Sequence, residues 1–358
     1  MPSLKEIKVR INSISSTLAI TSAMKMVAAA KLQKAQMAIQ NMLPYERRLH
    51  SMLIDLMGAM NISAAASEDG SVRGSGSAER GFDQSGDRLS LSNRHDLAGM
   101  DGAYSLMAQR EVRKVAIVAF ASNSSLCGAF NSNAIREATA VINEYRASGL
   151  GDADITVYSV GRKMAEAMKK LGFPSPADFT KMSDSPSYDA ASALAQELFD
   201  GFVSGRFDKV ELVYNHYKST SSQPTIRQTY LPLSLADATA DIQVGKITDS
   251  ASESDTNRVA EPVGAPVVRQ GSPTTEDLIV EPSKEALIAT LLPKVIRLRI
   301  FTTLLDSAAA EHAARTVAMQ LATDNGNDLL QELTLEYNKG RQQKITSEIL
   351  DLVGGSMQ

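Results

Sequence analysis

The carboxyl-terminal part of the chain carries a helical pattern that is too long for a compact domain. Residues 308–355 contain no proline, only two glycines precede the final pair, and alanine, leucine, glutamate, glutamine, arginine and lysine dominate. These residue types favour helices. We expect Ser283 to cap the helix and Pro293 to kink it. A continuous helix over 283–354 would span roughly 105 Å, whereas a compact chain of this size has a radius of gyration of about 20 Å. The helix must therefore run beside another helix or project into a partner.

The start of the chain predicts a second long helix that can pair with the first. Ser3 and Glu6 match a capping box, and a seam of residues then recurs at alternating spacings of three and four, as in a left-handed coiled coil. Pro44 predicts a kink. The seam comprises Leu4, Ile7, Ile11, Ile14, Leu18, Thr21, Lys25, Ala28, Leu32, Ala35, Ile39, Met42, Glu46, Leu49, Leu53, Leu56 and Met60. The residues in the middle of the seam are small or polar, which a tight coiled coil with a purely static role would not favour.

The two helices are predicted to differ in length. If both start from a common domain and return antiparallel, the carboxyl-terminal helix exceeds its partner by about ten to fifteen residues and its tip overhangs. The tip carries an apolar face formed by Ile345, Ile349 and Leu352. Nearer the domain, the face of the same helix that would meet its partner is again formed by small and polar residues. They are Thr302, Ala309, Thr316, Thr323 and Gly326.

The opening helix carries an excess of positive charge. Residues 1–58 hold eight lysines and arginines against three acids, a net charge of +5. This excess is either an ordinary solvated helix face or a surface that meets an acidic partner, and the sequence leaves both interpretations open. The whole chain has a net charge of −4 and a pI near 5.7, which argues against a general nucleic-acid-binding protein.

Two polar segments without periodicity interrupt the chain. Glycine, serine, aspartate and arginine dominate residues 61–110, and residues 236–282 have a net charge of −6. We interpret the first as a long loop and the second as an extended hairpin or loop. The predicted organisation is therefore an N-terminal shaft helix (1–60), a polar insertion (61–110), a central α/β domain (111–235), an acidic polar insertion (236–282) and a C-terminal shaft helix (283–358).

The central domain alternates between strand and helix patterns. Strands are predicted over 112–122, 154–160, 209–217 and 225–233, and helices over 132–147, 161–172 and 189–203. This alternation indicates a parallel or mixed sheet covered by helices. The predicted fold class is thus α/β, with a long antiparallel coiled coil of the N- and C-terminal helices and a small Rossmann-like α/β domain.

The residue patterns predict no catalytic residue, cofactor site or metal site. An open α/β sheet would bind a ligand at the loop after the first strand, but no nucleotide-binding glycine motif occurs there. Cys127, the single cysteine, lies in that loop, and the four histidines form no recognisable pairing with it. We interpret Cys127 as a small buried thiol at a tight turn. No apolar run reaches the length of a membrane span, and the first residues predict neither a signal nor a transit peptide.

Five stretches are specific enough to indicate a family. They read ITSAMKMVAAAKL (20–32), SLCGAFNSN (125–133), HAARTVAMQLATDNGNDLL (312–330), LEYNKGRQQKITSEI (335–349) and DLVGG (351–355). In order and spacing they resemble the gamma subunit of F-type ATP synthases over residues 3–355, apart from the two insertions. Departures from the family pattern at Asn123, Ser125, Thr316 and Ser356 leave the register of the helices unchanged.

The resemblance implies a rotor shaft. In that family the coiled coil sits inside a ring of three alpha and three beta subunits, and the α/β domain docks on the epsilon subunit and the membrane ring of c subunits. Proton flow turns the c ring, and the shaft drives the three catalytic sites through different affinities in sequence. The shaft itself binds no nucleotide, needs no cofactor and does no bond chemistry. We expect a peripheral protein on the cytoplasmic face of the bacterial inner membrane.

The resemblance also implies roles for six residues in contacts with partners. Met24 and Lys25 would face an acidic lever loop of the beta subunits. Arg341 and Gln342 resemble a polar catch for beta subunits, and Thr346 and Glu348 belong to a signature in the bearing. Without the resemblance, Met24 reads as ordinary helix packing and Arg341 as a solvated charge.

Two other classes of function remain as alternatives. One is an α/β enzyme whose helical arm grips a nucleic acid, which would need a nucleotide or metal site. The other is a passive coiled-coil scaffold, which would favour leucine and isoleucine throughout the seam.

Overall fold

Two long helices and a central four-stranded sheet form the architecture. The computed structural model of the chain describes residues 3–68, 110–233 and 284–356. Most of both predicted polar insertions and the predicted cap at Ser283 lie outside the described residues.

The first helix, α1, runs from Leu4 to Glu68 over 65 residues. The predicted capping box is confirmed: the backbone N–H of Ser3 donates to Glu6 Oε2 at 3.0 Å, and the N–H of Glu6 donates to Ser3 Oγ at 3.3 Å. The helix continues through Pro44. It also extends past residue 60 into the segment predicted as a polar loop, because residues 61–68 include an alanine run that favours helix.

The three predicted helices and four predicted strands of the α/β domain occur in the predicted order, and the structure adds a short helix. The elements are β1 (Val115–Phe120), α2 (Phe130–Ala147), β2 (Ile155–Val160), α3 (Arg162–Lys170), α4 (Thr180–Asp184), α5 (Tyr188–Val203), β3 (Lys209–Asn215) and β4 (Thr225–Leu231). Helix α4 was not predicted from the sequence, because its five residues are too few to show a helical period. The last helix, α6, runs from Lys284 to Ser356 over 73 residues and continues through Pro293.

The sheet is mixed, with the strand order β2-β1-β3-β4. Strand β1 is parallel to both β2 and β3, and β3 is antiparallel to β4. Ile117 on β1 pairs with Val157 on one side and Glu211 on the other. Strand β1 reads VAIVAF, a continuous apolar run that is buried on both faces, which is the pattern of a central strand in a covered parallel sheet.

The two faces of the sheet bury different elements. Ala116, Val118 and Phe120 of β1 belong to a core shared with α5, the end of α1 and the beginning of α6. The alternate residues of β1 belong to a second core shared with α2 and α3. The α/β domain therefore encloses the base of the coiled coil on one side, which fixes where the shaft leaves the domain.

A buried carboxylate ties β3 to β4 and α2. Glu211 is 1% exposed. It accepts hydrogen bonds from Tyr145 Oη at 2.6 Å and from Arg227 Nε at 2.7 Å, and it lies 2.6 Å from Lys209 Nζ. Arg227 also pairs with Glu144. Burial alone would raise the pKa of Glu211, but these donors outweigh it and lower the pKa, so the group is an ion held by its partners.

Candidate protein interface on the shaft

The seam predicted for α1 is confirmed by burial. None of the predicted seam residues from Leu4 to Leu56 is exposed; each is buried or half-buried against the rest of the chain. Opposite them, α6 runs antiparallel, because Leu18 contacts Gly326 whereas Leu4 contacts Gly340. The two glycines and the two leucines are each separated by two heptads, so the same packing recurs along the shaft.

Small and polar side chains fill the middle of this seam. Thr323 Oγ1 and Thr21 Oγ1 form a hydrogen bond of 3.2 Å between the helices. Below it, Leu32 packs against Ala309 and Ala313. Small residues allow two helices to approach closely and leave a narrow shaft with few large interlocking contacts.

Beyond Gly340, α6 has no partner helix among the described residues. Residues 341–353 are all exposed. The helix continues to Ser356, so about 24 Å of single helix projects past the level of Leu4. Its apolar side chains face solvent: Ile345 is 48% exposed, Ile349 54% and Leu352 75%. The overhanging tip predicted from the helix lengths is therefore confirmed, and its apolar residues are uncovered in the chain alone.

The six predicted contact residues fall into two groups that the structure does not bring together. Met24 and Lys25 are half-buried on α1, in the paired part of the shaft. Arg341, Gln342, Thr346 and Glu348 are exposed on the tip. Since Leu18 lies level with Gly326, Arg341 is about 22 residues beyond the level of Lys25, or about 33 Å.

The local contacts of the tip residues lie within their own helix. Thr346 Oγ1 donates to the backbone oxygen of Gln342 at 2.9 Å. Lys344 Nζ and Glu348 Oε1 form an exposed ion pair of 3.8 Å. Exposed pairs of this kind contribute little to stability, so these side chains can exchange their partners for those of another protein.

The loop after β1 is filled by the chain's own hydrogen bonds. Asn131 Oδ1 accepts from the backbone N–H and hydroxyl of Ser122, each at 3.0 Å. Asn123 donates to Thr180 O at 2.7 Å and accepts from the N–H of Arg162 at 2.7 Å. The edge of the sheet where a ligand would bind in an open α/β fold is thus used to connect strands and helices.

Cys127 lies in the same loop, and its predicted burial is confirmed. It is 1% exposed, and Asn131 Nδ2 donates to its sulfur at 3.2 Å. The preceding residue, Leu126, has a φ of 68° and is 58% exposed, which is an uncommon backbone conformation for a branched residue.

A polar junction joins this loop to α6. Arg315 donates to Ser124 Oγ at 2.7 Å and pairs with Glu311 at 2.7 Å. Burial raises the pKa of Glu311 despite this pairing. Next to it, burial and the charges of Arg315 and Lys31 lower the pKa of His312 to about 4, so its imidazole is neutral at pH 7.

A second junction joins the turn between β3 and β4 to both long helices. His216 Nδ1 lies 2.6 Å from Asp306 Oδ2, and the backbone N–H of Tyr217 donates to Asp306 Oδ1 at 2.9 Å. Gln36 of α1 donates to Tyr217 Oη at 2.6 Å. Neither junction was predicted from the sequence, because the partners are far apart in the chain and no short motif marks them.

Within the described ranges, no three histidine, cysteine, aspartate or glutamate side chains cluster as metal ligands. Nor does any helix there combine the length and the apolar character that a membrane span requires.

Comparisons with known sequences match nearly the whole chain. A protein-family model described as ATP synthase matches residues 3–357. The chain is 47% identical to the ATP synthase gamma chain of Phocaeicola vulgatus over 357 residues, and 45% identical to that of Bacteroides thetaiotaomicron over 358 residues; each alignment covers 100% of both chains. Among solved structures, it is similar to a chain of the cryo-EM structure of the Tetrahymena thermophila mitochondrial ATP synthase central stalk and c ring. That alignment has a TM-score of 0.43 and 18% identity, and it covers 85% of this chain and 99% of that chain.

Proposed function

The chain belongs to the ATP synthase gamma chain family, and from that premise we propose that it is the rotating central stalk of a bacterial F-type ATP synthase. The coiled coil turns inside a ring of three alpha and three beta subunits. The α/β domain meets the epsilon subunit and the c ring. Proton flow through the membrane part turns the c ring, and the asymmetric shaft brings each catalytic site on a beta subunit through its conformations in sequence.

The overhanging tip of α6 is the observation that carries this proposal. About 24 Å of helix with exposed apolar residues is costly for a free protein, because such residues are normally covered. A socket in a partner, formed by the upper ends of the alpha and beta subunits, would cover them. The tip would then be the upper bearing of the shaft.

The paired part of the shaft has the properties that rotation requires. Its middle seam is built from small and polar residues such as Thr21, Ala28 and Thr323, so the two helices stay close and the shaft stays narrow. The net charge of +5 over residues 1–58 suits an acidic surface on the surrounding subunits. A long-range attraction of this kind holds the shaft in place without large interlocking contacts that would resist turning.

We assign the six contact residues to two levels of the ring. Met24 and Lys25 face the acidic lever loops of the beta subunits, where Lys25 supplies the charge. Arg341 and Gln342 hydrogen-bond to beta subunits near the tip, and Thr346 and Glu348 lie in the bearing. The separation of about 33 Å between the two groups supports this division.

Bond chemistry belongs to other subunits in this proposal. The chain is a non-catalytic subunit that requires no cofactor, and the hydrogen-bonded loop after β1 supports that role because its polar groups already have partners. The complex attaches the chain to the cytoplasmic face of the inner membrane as a peripheral component.

Reconstitution tests the proposal. The full chain is mixed with purified alpha and beta subunits, and the mass of the complex and its ATPase activity are measured. We expect one copy of the chain per three alpha and three beta subunits, and ATP hydrolysis that depends on the chain. If no complex forms, or if the chain alone hydrolyses a nucleotide, the rotor function is wrong and the enzyme with a helical arm replaces it.

A truncation after Gly340 locates the function of the tip. The removed residues make no seam contact with α1, so the truncated chain should unfold at the same temperature as the full chain. In the complex it should lose the coupling of rotation to catalysis. A matched control is Leu335→Ser, which removes an apolar residue that is 71% exposed in the paired part of α6. Equal losses in the truncation and the control would contradict the role of the tip as a bearing.

A further inference from the structure

The turn between β3 and β4, residues 216–224, is held in a defined shape by its own hydrogen bonds. The N–H of His216 donates to the oxygen of Pro224 at 2.9 Å, and the N–H of Ser222 donates to Ser219 at 3.2 Å. The side chain of Gln223 donates to the oxygens of Ser219 and Thr220 at 3.0 and 2.6 Å. A loop braced in this way can transmit a force instead of deforming under it.

Tyr217 in this turn contacts three separate parts of the molecule. Tyr217 packs against the cluster of Leu32 from α1 with Ala309 and Ala313 from α6, and also against the cluster that contains Cys127 and Phe130 of the domain. The hydroxyl of Tyr217 accepts the hydrogen bond from Gln36 of α1 at 2.6 Å. One side chain thus joins α1, α6 and the α/β domain at a single level of the shaft.

Asp306 of α6 fixes the backbone beside this ring. Its two carboxylate oxygens bind His216 Nδ1 at 2.6 Å and the backbone N–H of Tyr217 at 2.9 Å. The two contacts cannot both persist if α6 slides or rotates relative to the turn. The turn therefore grips α6 through Asp306 and α1 through Gln36.

We propose that residues 216–224 form a clamp that passes torque from the α/β domain into both helices of the shaft at once, with Tyr217 and Asp306 as its positioning residues. This proposal rests on the rotor function proposed above. A load applied to one helix alone would have to pass to the other helix through the seam, whose middle contains small and polar residues that bury little apolar surface. Gripping both helices where they leave the domain makes the pair turn as one body.

The test measures the torsional stiffness of the shaft in the assembled complex. The complex with alpha and beta subunits is fixed to a surface through the beta subunits, and a bead is attached to the domain through Lys170→Cys. Position 170 is exposed on α3, and the native Cys127 is buried, so the bead attaches at one place. The angular variance of the bead during pauses in ATP hydrolysis reports the stiffness.

Tyr217→Phe removes the hydroxyl and keeps the ring, and Asp306→Ala removes both oxygens. We expect each variant to increase the angular variance, with unloaded ATPase activity unchanged because neither residue contacts a catalytic site. Asp306→Asn keeps an oxygen for the N–H of Tyr217 and should restore part of the stiffness. The control is Tyr188→Phe, in a tyrosine that is 44% exposed and whose ring packs on Phe301 of α6; its variance should equal that of the wild type.

Two negative results are distinguishable. A wild-type complex that does not assemble or rotate would overturn the rotor function itself. A wild-type complex that rotates, together with Tyr217→Phe and Asp306→Ala variants of unchanged angular variance, would overturn the clamp alone. If the Asp306→Ala variant fails to assemble, the Tyr217→Phe variant still tests the clamp, because a substitution that removes a single oxygen atom should leave the fold intact.

Discussion

Leu18 of α1 lies directly over Gly326 of α6, so closely that a Cβ atom at position 326 would come within 2.7 Å of Leu18 Cδ2. The contact explains why a residue that is unfavourable in a helix interior occurs in the middle of α6. It also fixes the register of the coiled coil, because sliding the helices would bring Leu18 against a residue with a side chain.

Gly326→Ala is therefore expected to destabilise the chain although alanine favours helix. The gain in helix propensity is about 1 kcal/mol, whereas overpacking a close contact costs about 1–3 kcal/mol. Urea unfolding followed by circular dichroism measures the difference. Gly340→Ala is the matched comparison, since its nearest atom, Leu4 Cδ2, would lie 3.1 Å away, and it should cost less. A lower cost for Gly326→Ala than for Gly340→Ala would contradict the packing argument.

His216 should make the chain less stable as the pH rises. Its hydrogen bond to the Asp306 carboxylate favours the imidazolium and raises the pKa of His216, with burial and Lys218 acting against it. The stabilisation is complete below the unfolded-state pKa of about 6.5 and is lost as the pH rises through the raised folded-state pKa. NMR titration gives the folded value directly. The free energy of unfolding of the wild type relative to His216→Gln should fall as the pH rises above about 6.5, and a rise instead would refute the assignment.

His312 should act in the opposite direction. Its pKa of about 4 lies below the unfolded-state value of about 6.5, chiefly because of burial. Between these values the unfolded chain binds a proton that the folded chain does not, so stability decreases as the pH falls from 6.5 to 4. In the His312→Gln variant, the free energy of unfolding should depend less on pH over this interval. If the variant loses stability between pH 6.5 and pH 4 as strongly as the wild type does, other groups cause the loss and not His312.

Glu211→Ala should be among the most destabilising substitutions in the domain. It leaves the charges of Arg227 and Lys209 without the carboxylate that compensates for their partial burial, and breaking such a pair costs about 3–5 kcal/mol. The control is Asp152→Ala, which breaks a solvent-exposed pair with Arg146 and should cost far less than Glu211→Ala. Urea denaturation of both variants compares the two. Similar losses of unfolding free energy in the two variants would mean that the buried carboxylate stabilises the fold no more than the exposed one does.

The long helices were predictable because their signal is local and repeats many times. Each seam residue of α1 carries the same three-or-four spacing, and Ser3 and Glu6 mark the start of the helix. The end of α1 at Glu68 was not predicted, since a change to polar composition does not stop a helix that contains an alanine run.

The junctions between the shaft and the domain could not be read from the sequence. Tyr217 and Gln36 are 181 residues apart, and His216 and Asp306 are 90 residues apart. No period or motif links such pairs, and only the fold brings them together. The six contact residues came from the resemblance to a family, and the structure supplies their positions and exposure, while their roles stay predictions.

The pairing of Leu4 with Gly340 has a consequence for biosynthesis. The outermost contact of the shaft joins a residue that is synthesised near the start of translation to one that is synthesised near its end. The two helices can therefore meet only after the domain between them has been synthesised. Contacts of such high sequence separation form slowly. The domain can fold first and hold the two helices at their base, after which the coiled coil closes from the domain outward. Until then the apolar seam of α1 is uncovered, and the nascent chain is most prone to aggregation in that interval.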